Sequence, residues 1–227
     1  MRIRQSLMLV GLVPACLTVL GTAPALATTV QATNLAELLG QADTIIVGTV
    51  TEVTDGVDAD TGLPYTQVNM DVTESIRGGA TGTYKFQQVG LLNPRPMAGT
   101  NRALMGAIEG MSRFEAGEQV LLFLGPTASV TGFRTTVGLR QGKFNIRANG
   151  VSNGQNNEGL FVNLAVEPNL MSAKDRRMIA TSQGTVDTTT FLNFVRRAVT
   201  EKWVESGRLG TNDKTGPSKG RGGVGHE

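Results

Sequence analysis

Cysteine, histidine and aromatic side chains are scarce in this chain. Its 227 residues hold one cysteine, one histidine and 5% aromatic residues. The cysteine, Cys16, lies in an N-terminal apolar run, and the histidine, His226, stands in a glycine-rich stretch. A zinc site of the His/Cys kind needs three or four such ligands. A Ser-His-Asp triad needs a histidine held in place, and a thiol nucleophile needs a cysteine. Residue content therefore argues against all three chemistries, and no cofactor is expected. A nucleic-acid groove combines basic charge with stacking aromatics. Here 21 Lys and Arg stand against 19 Asp and Glu, so no nucleic-acid partner is expected.

What is present begins with a leader. Arg2 and Arg4 form a short basic region, residues 6–20 (SLMLVGLVPACLTVL) are apolar and uncharged, and APALA follows with Ala25 and Ala27 at the −3 and −1 places of a small-residue cleavage site. This is the three-part layout of a secretory signal peptide. The run is shorter than the ~20 residues of a spanning helix, and Pro14 interrupts it. Cleavage is expected after Ala27, with a secreted or periplasmic product and no stable membrane span afterwards. A minor alternative is a lipoprotein box at Val13-Pro14-Ala15-Cys16, with Cys16 lipidated. Loss of Arg2 and Arg4 would balance the 19 acidic residues, giving a formal net charge of zero. Loss of Cys16 would leave a cysteine-free chain in a compartment that permits disulfides. The fold must then rest on its core, which this length can supply.

Downstream, residues 34–40 (NLAELLG) predict a short helix. Asn34 is the N-cap, Glu37 completes a capping box, and Leu35, Leu38 and Leu39 share a face, with Gly40 as the stop. Residues 41–55 (QADTIIVGTVTEVTD) predict a first strand, with Val47, Thr49, Thr51 and Val53 on one side and Gly48, Val50 and Glu52 on the other. After turn-rich residues 55–64, a second strand over 65–76 puts Val68, Met70 and Val72 inward. RGGATG at 77–82 breaks the pattern, and Tyr84, Phe86 and Gln88 alternate with Lys85, Gln87 and Val89 in a third strand. Residues 119–124 (QVLLFL) read as a strand covered on both faces. Residues 131–139 and 142–148 predict a strand pair, and 159–166 a last strand. A short helix is expected around 172–181. A longer one should run from a cap at Asp187 or Thr188 to about Ser206, packing Phe191, Phe194 and Trp203. The Gly-rich residues 207–227 read as a disordered tail.

These elements predict a mainly β chain with flanking helices, an α+β class, without the interleaved helices of a parallel sheet. The strands should form a partly open, strongly bent barrel of five or six strands over residues 28–167, followed by a helical segment over 168–206.

Several motifs bear on chemistry. Asp55, Asp58 and Asp60 in DGVDADTG could offer oxygens to calcium, but the register of an EF-hand fails, and a solvated hairpin connection explains the same residues. Asp71 and Glu74 are expected on opposite strand faces. Arg77-Gly78-Gly79-Ala80 lacks the lysine and setting of a phosphate loop and reads as a turn. The KDRR run at 174–177 and Arg196-Arg197 read as solvated helix faces. Residues 93–114 (NPRPMAGTNRALMGAIEGMSRF) are longer than an ordinary connection. They carry adaptable apolar side chains at Met97, Leu104, Met105, Ile108 and Met111. Two readings stand: a partner-binding loop, or a short helix from Leu104 to Ile108 that plugs one end of the barrel.

The ordered set LAELLGQADTIIVGTVTEV, TESIRGG, YKFQQVG, MSRFEAGEQVLLFL and VGLRQGKFNIR resembles a group of uncharacterised bacterial secreted proteins. It is similar to the netrin-like domain, also found in tissue inhibitors of metalloproteinases. Over residues 34–147 the resemblance implies an OB-like β-barrel. Those inhibitors insert an N-terminal cysteine into the target's zinc, and this chain has none to offer there, so the resemblance carries the scaffold and not that mechanism. The favoured function is an exported, non-catalytic binding module, protease-associated or inhibitor-like, with an exported protein as partner. The alternatives are a structural component of the envelope or an extracellular assembly, and a carboxylate-dependent exported hydrolase.

Overall fold

In the computed structural model, which describes residues 32–96 and 103–212, the first helix starts where the sequence places its cap. The expected leader, Met97 and the last fifteen positions lie outside the described residues. Asn34 accepts a hydrogen bond from the Glu37 N–H at 3.1 Å, and Glu37 accepts one from the Asn34 N–H at 2.9 Å, which closes the capping box of α1 (Leu35–Gln41). Gly40 lies inside the helix. The chain leaves at Ala42, whose extended backbone leads straight into the first strand. Arg77 donates to the Leu39 and Ala42 carbonyls, satisfying groups that a helix end leaves open.

The principal sheet is built from β1 (Thr44–Val57), β2 (Pro64–Arg77) and β3 (Gly82–Val89). A connection containing the small ribbon of β4 (Arg95–Pro96) and β5 (Ala103–Leu104) leads on to β6 (Gln119–Leu124), β7 (Lys143–Arg147) and β8 (Gly150–Asn153). All pairs in this sheet are antiparallel, in the order β3-β2-β1-β6-β7-β8. The fourth long strand thus returns beside the first, the arrangement of a Greek key. β3 and β8 are its edges, so the sheet is not closed into a barrel.

Both faces are covered. Leu121 and Phe123 of β6 point into one core with Ile45, Val47, Phe144 and α1, while Val120, Leu122 and Leu124 point into a second with Val50, Val68, Met70 and Phe86. The continuous apolar run of β6 therefore follows from its central place. β1 departs from the strict alternation read in sequence. Thr51 has no partner in the register, since Val50 faces Met70 and Glu52 faces Asn69. This bulge rotates the strand, so Val53 faces Val68 and packs with Val50, on the opposite side from Val47. Thr73 and Ile76 are skipped in β2 in the same way. The bulge at Thr73 also brings Asp71 and Glu74 opposite Thr49 and Val47, on one face rather than two.

The C-terminal third differs most from expectation. Residues 131–139 form no strand; one isolated bridge, Thr136 to Leu124, ties them to β6, and β7 pairs instead with β8, which the sequence did not signal. The expected last strand shrinks to β9 (Leu164–Val166). α2 (Ala173–Ile179) begins at a second capping box, Ser172 with Asp175. α3 (Thr188–Thr200) stops short of Ser206, and Trp203 folds back edge-on against Phe194, with ring centroids 5.4 Å apart. Residues 209–211, assigned by sequence to a disordered tail, form β10 (Leu209–Thr211) paired with β9, and Leu209 is 1% exposed. Among the described residues no helix is long and apolar enough to cross a membrane.

Candidate functional site

The long connection between β3 and β6 is fastened to the sheet at intervals, and Leu92, Met105 and Ile108 are exposed between the fastenings. At its start, Gly90 has φ +97° and a Cβ there would sit 2.6 Å from the Ala107 Cα, so only glycine allows the two backbones to meet. Leu91 is buried, donates to the Met105 carbonyl at 3.0 Å and accepts from the Ala107 N–H at 2.9 Å. At its far end Met111, Ser112 and Phe114 are buried. Gln88 Nε2 donates to the Ser112 carbonyl at 2.9 Å, and the Ser112 and Thr136 hydroxyls lie 2.8 Å apart. Lys143 Nζ donates to the Arg113 carbonyl and to Glu118, each at 2.6 Å, and lies 4.8 Å from the Phe114 ring centroid.

Against this frame the expected site residues separate. Met105 is 53% exposed and Ile108 47%, joined by Leu92 at 40%, which the sequence did not single out. Leu104 is half-buried in β5. Met111 belongs to the anchored end rather than the surface. Met97 lies outside the described residues. The helical plug over Leu104–Ile108 does not form: Ala103 and Leu104 are strand and the residues to Ile108 carry no helix.

Two clefts flank the stretch from residue 110 to 115. One, of about 300 Å³, lies between Gln88, Leu92 and Phe114. The other, of about 360 Å³, is lined by Ile108, Arg113, Arg140, Lys143 and Asn145. Each contains a side chain with a buried oxygen that has no hydrogen-bond partner, Gln88 Oε1 and Asn145 Oδ1. For Gln88 the assignment of oxygen is constrained, because its nitrogen is needed on the Ser112 carbonyl. A wider depression of about 420 Å³ between α2 and the start of α3 holds Lys174, Arg177 and the α3 cap Asp187. Gln88 was legible as a position of the third strand on the same side as Phe86, but not as a buried polar group. Arg113 and Arg140 had no local signal, since what matters is that separate loops bring them to one cleft.

The carboxylates are engaged elsewhere. Asp55 accepts from the Leu92 N–H at 2.9 Å and pairs with Arg95 at 3.0 Å, fixing the start of the connection. Asp58 accepts from the Thr61 hydroxyl and N–H, which close the hairpin turn and hold its carboxyl below the usual range. Asp60 is exposed. Glu74 accepts from Arg196 Nε and Nη2, each at 2.7 Å, and Asp71 accepts from the Thr83 hydroxyl at 3.2 Å. Among the described residues no group of three or more His, Cys, Asp or Glu side chains gathers where a metal ion could be held.

Fold and site together define an α+β chain with a Greek-key sheet and an anchored, partly apolar connection between β3 and β6. Set against family models, curated proteins and solved structures, the chain matches none.

Proposed function

We propose that this protein is an exported, non-catalytic binding module, with a protease-associated or inhibitor-like accessory role, that engages an exported protein through its β3–β6 connection. The observation that carries the reading is the exposure of Leu92, Met105 and Ile108 on a segment whose two ends are buried and hydrogen-bonded. A backbone anchored in this way has less freedom to lose on binding, and exposed apolar groups on anchored loops are recurrent features of interaction surfaces. The leader supports export. The Greek-key order, with β7 as a fifth strand, supports the partly open OB-like scaffold that the netrin-like resemblance implies. The carboxyl groups whose titration is displaced, Asp58, Glu74, Asp175 and Asp187, are all moved downward by their hydrogen bonds, the wrong direction for a general acid.

The test uses the full chain as bait on the exported proteins of its source. One specific partner is expected, bound at least about tenfold more weakly by a Leu92→Ser, Met105→Ser, Ile108→Ser variant of unchanged melting temperature, a loss in keeping with removal of interface anchors. Absence of a partner together with concentration-dependent multimers would favour the assembly alternative. Turnover of a glycan, lost on removal of a carboxylate, would replace the reading with an enzyme.

A further inference from the structure

The larger of the two flanking clefts is unequal in charge. Arg113, Arg140 and Lys143 line it against a single carboxylate, Glu109. Lys143 is buried and committed, bonded to the Arg113 carbonyl and to Glu118. Arg113 and Arg140 are exposed, and among the described residues neither guanidinium has an ion-pair or hydrogen-bond partner. Of the other described arginines, Arg77, Arg95, Arg134, Arg196, Arg197 and Arg208 pair with carboxylates, Arg176 and Arg177 donate to backbone carbonyls, and Arg147 at the end of β7 is also unpaired but lies outside this cleft. They come from different parts of the chain, Arg113 from the anchored segment and Arg140 from the turn before β7, and that turn is joined to the segment by the Arg140 N–H on the Gly110 carbonyl at 3.0 Å. The side-chain amide of Asn145 lines the same cleft; its Oδ1 is buried without a partner and its Nδ2 makes no hydrogen bond, which leaves an N–H donor uncommitted. Ile108 forms an apolar wall of this cleft, and Met105 stands close by in sequence, also exposed.

We propose that this cleft receives a carboxylate side chain of the protein partner, from a segment in which the acidic residue neighbours an aliphatic one. The proposal rests on the protein-binding reading above and names the chemistry of the partner. Guanidinium groups present planar forks of N–H donors that match a carboxylate. Asn145 supplies a further donor, and the aliphatic neighbour packs on Ile108. Charge complementarity selects an acidic segment over a basic one, because like charges juxtaposed at an interface are strongly disfavoured. The exposed large apolar side chains of the described residues are all aliphatic. That favours a polypeptide over an acidic sugar, which would look for an aromatic face to stack on.

The probes are acetyl-Leu-Glu-Leu-amide, its counterpart acetyl-Leu-Gln-Leu-amide and inorganic phosphate, each titrated into the 15N-labelled full chain. The signals followed are the Asn145 side-chain amide and the Gly110 backbone N–H. The glutamate peptide is expected to saturate these shifts at about tenfold lower concentration than the glutamine peptide, an advantage that weakens as salt is raised. Arg113→Gln with Arg140→Gln should abolish the difference while leaving the melting temperature unchanged. Equal saturation by both peptides, no shift with either, or saturation by phosphate below the peptide concentration overturns the proposal. Capture of the protein partner that survives the double arginine variant but is lost with the Leu92, Met105, Ile108 variant removes the acidic occupant and leaves the protein-binding reading standing. No capture by the unaltered chain removes that reading itself.

Discussion

Gly48 and Arg77 show how single side chains hold the sheet and its first helix together. Gly48 lies beside a bulge, and a Cβ there would collide with the Asp71 carbonyl oxygen and stand 2.7 Å from the Met70 methyl. Gly48→Ala is expected to destabilise by about 1–3 kcal/mol through overpacking; an unchanged urea midpoint would sink this account. Arg77 was legible only as the start of a glycine-rich turn. Its guanidinium in fact caps α1 at the Leu39 and Ala42 carbonyls, while its second arm reaches the exposed Glu205 at 3.1 Å. Arg77→Ala should cost about 1–3 kcal/mol, because it leaves helix-end carbonyls without a donor. Glu205→Ala should cost no more than about 1 kcal/mol, since it removes only a solvated ion pair. Equal losses in chemical denaturation would show that the ion pair and not the cap matters.

At the scale of elements, the chain beyond α3 is the instructive case. Trp203 is buried edge-on against Phe194, and the Arg197 guanidinium lies 5.2 Å from the Trp203 ring centroid. Past it, Leu209 enters the same core, β10 pairs with β9, and Thr211 Oγ1 accepts from Asn34 Nδ2 at 3.0 Å, tying the end of the described chain to the cap of α1. A chain shortened after Ser206 is expected to lose at least about 1.5–3 kcal/mol, the cost of exposing one large apolar side chain. Differential scanning calorimetry would read this as a lower melting temperature, and an unchanged one would mean that β10 is dispensable. The reason β10 escaped notice is compositional. A three-residue strand with a glycine at its centre has too short a pattern to show period two, and its partner lies more than forty positions upstream.

For the whole molecule, two ion pairs join layers that hydrophobic contact alone would leave free to slide. Arg196 of α3 holds Glu74 of β2, and Arg197 of α3 holds Asp175 of α2. Hydrogen bonds and charge from Arg196 outweigh desolvation and keep Glu74 below the ordinary carboxylate range. For Asp175, which is 2% exposed, burial pushes the carboxyl up, but Ser172 and Arg197 together outweigh it and bring it below. Both groups are depressed in the folded state. Their contribution is therefore complete above the ordinary carboxylate values and is lost as pH falls through the lowered ones. The melting temperature is expected to be flat from neutral pH to about pH 5 and to fall below about pH 4. Asp175→Asn should lower it at neutral pH and flatten the acid limb. A variant with the full acid dependence of the parent would place the titration elsewhere. Reading KDRR as a solvated face missed this, because the capping box at Ser172 turns Asp175 inward between its two charged neighbours.

The sequence by itself determined what short-range forces control. Asn34 with Glu37 started α1, the alternation of Val68, Met70 and Val72 set the inner face of β2, and the unbroken apolar run of residues 120–124 marked a strand covered on both sides. Residue content likewise left no histidine or cysteine for a metal or a triad in residues 28–212. Only the tertiary structure decided the rest. The bulges at Thr51, Thr73 and Ile76 depend on how two strands register with each other, and a single unpaired residue turns every later side chain to the other face. The open Greek key depends on β6 returning to β1, across more than sixty positions. The meeting of Arg113 with Arg140 depends on loops whose separation in sequence carries no record of their closeness in space.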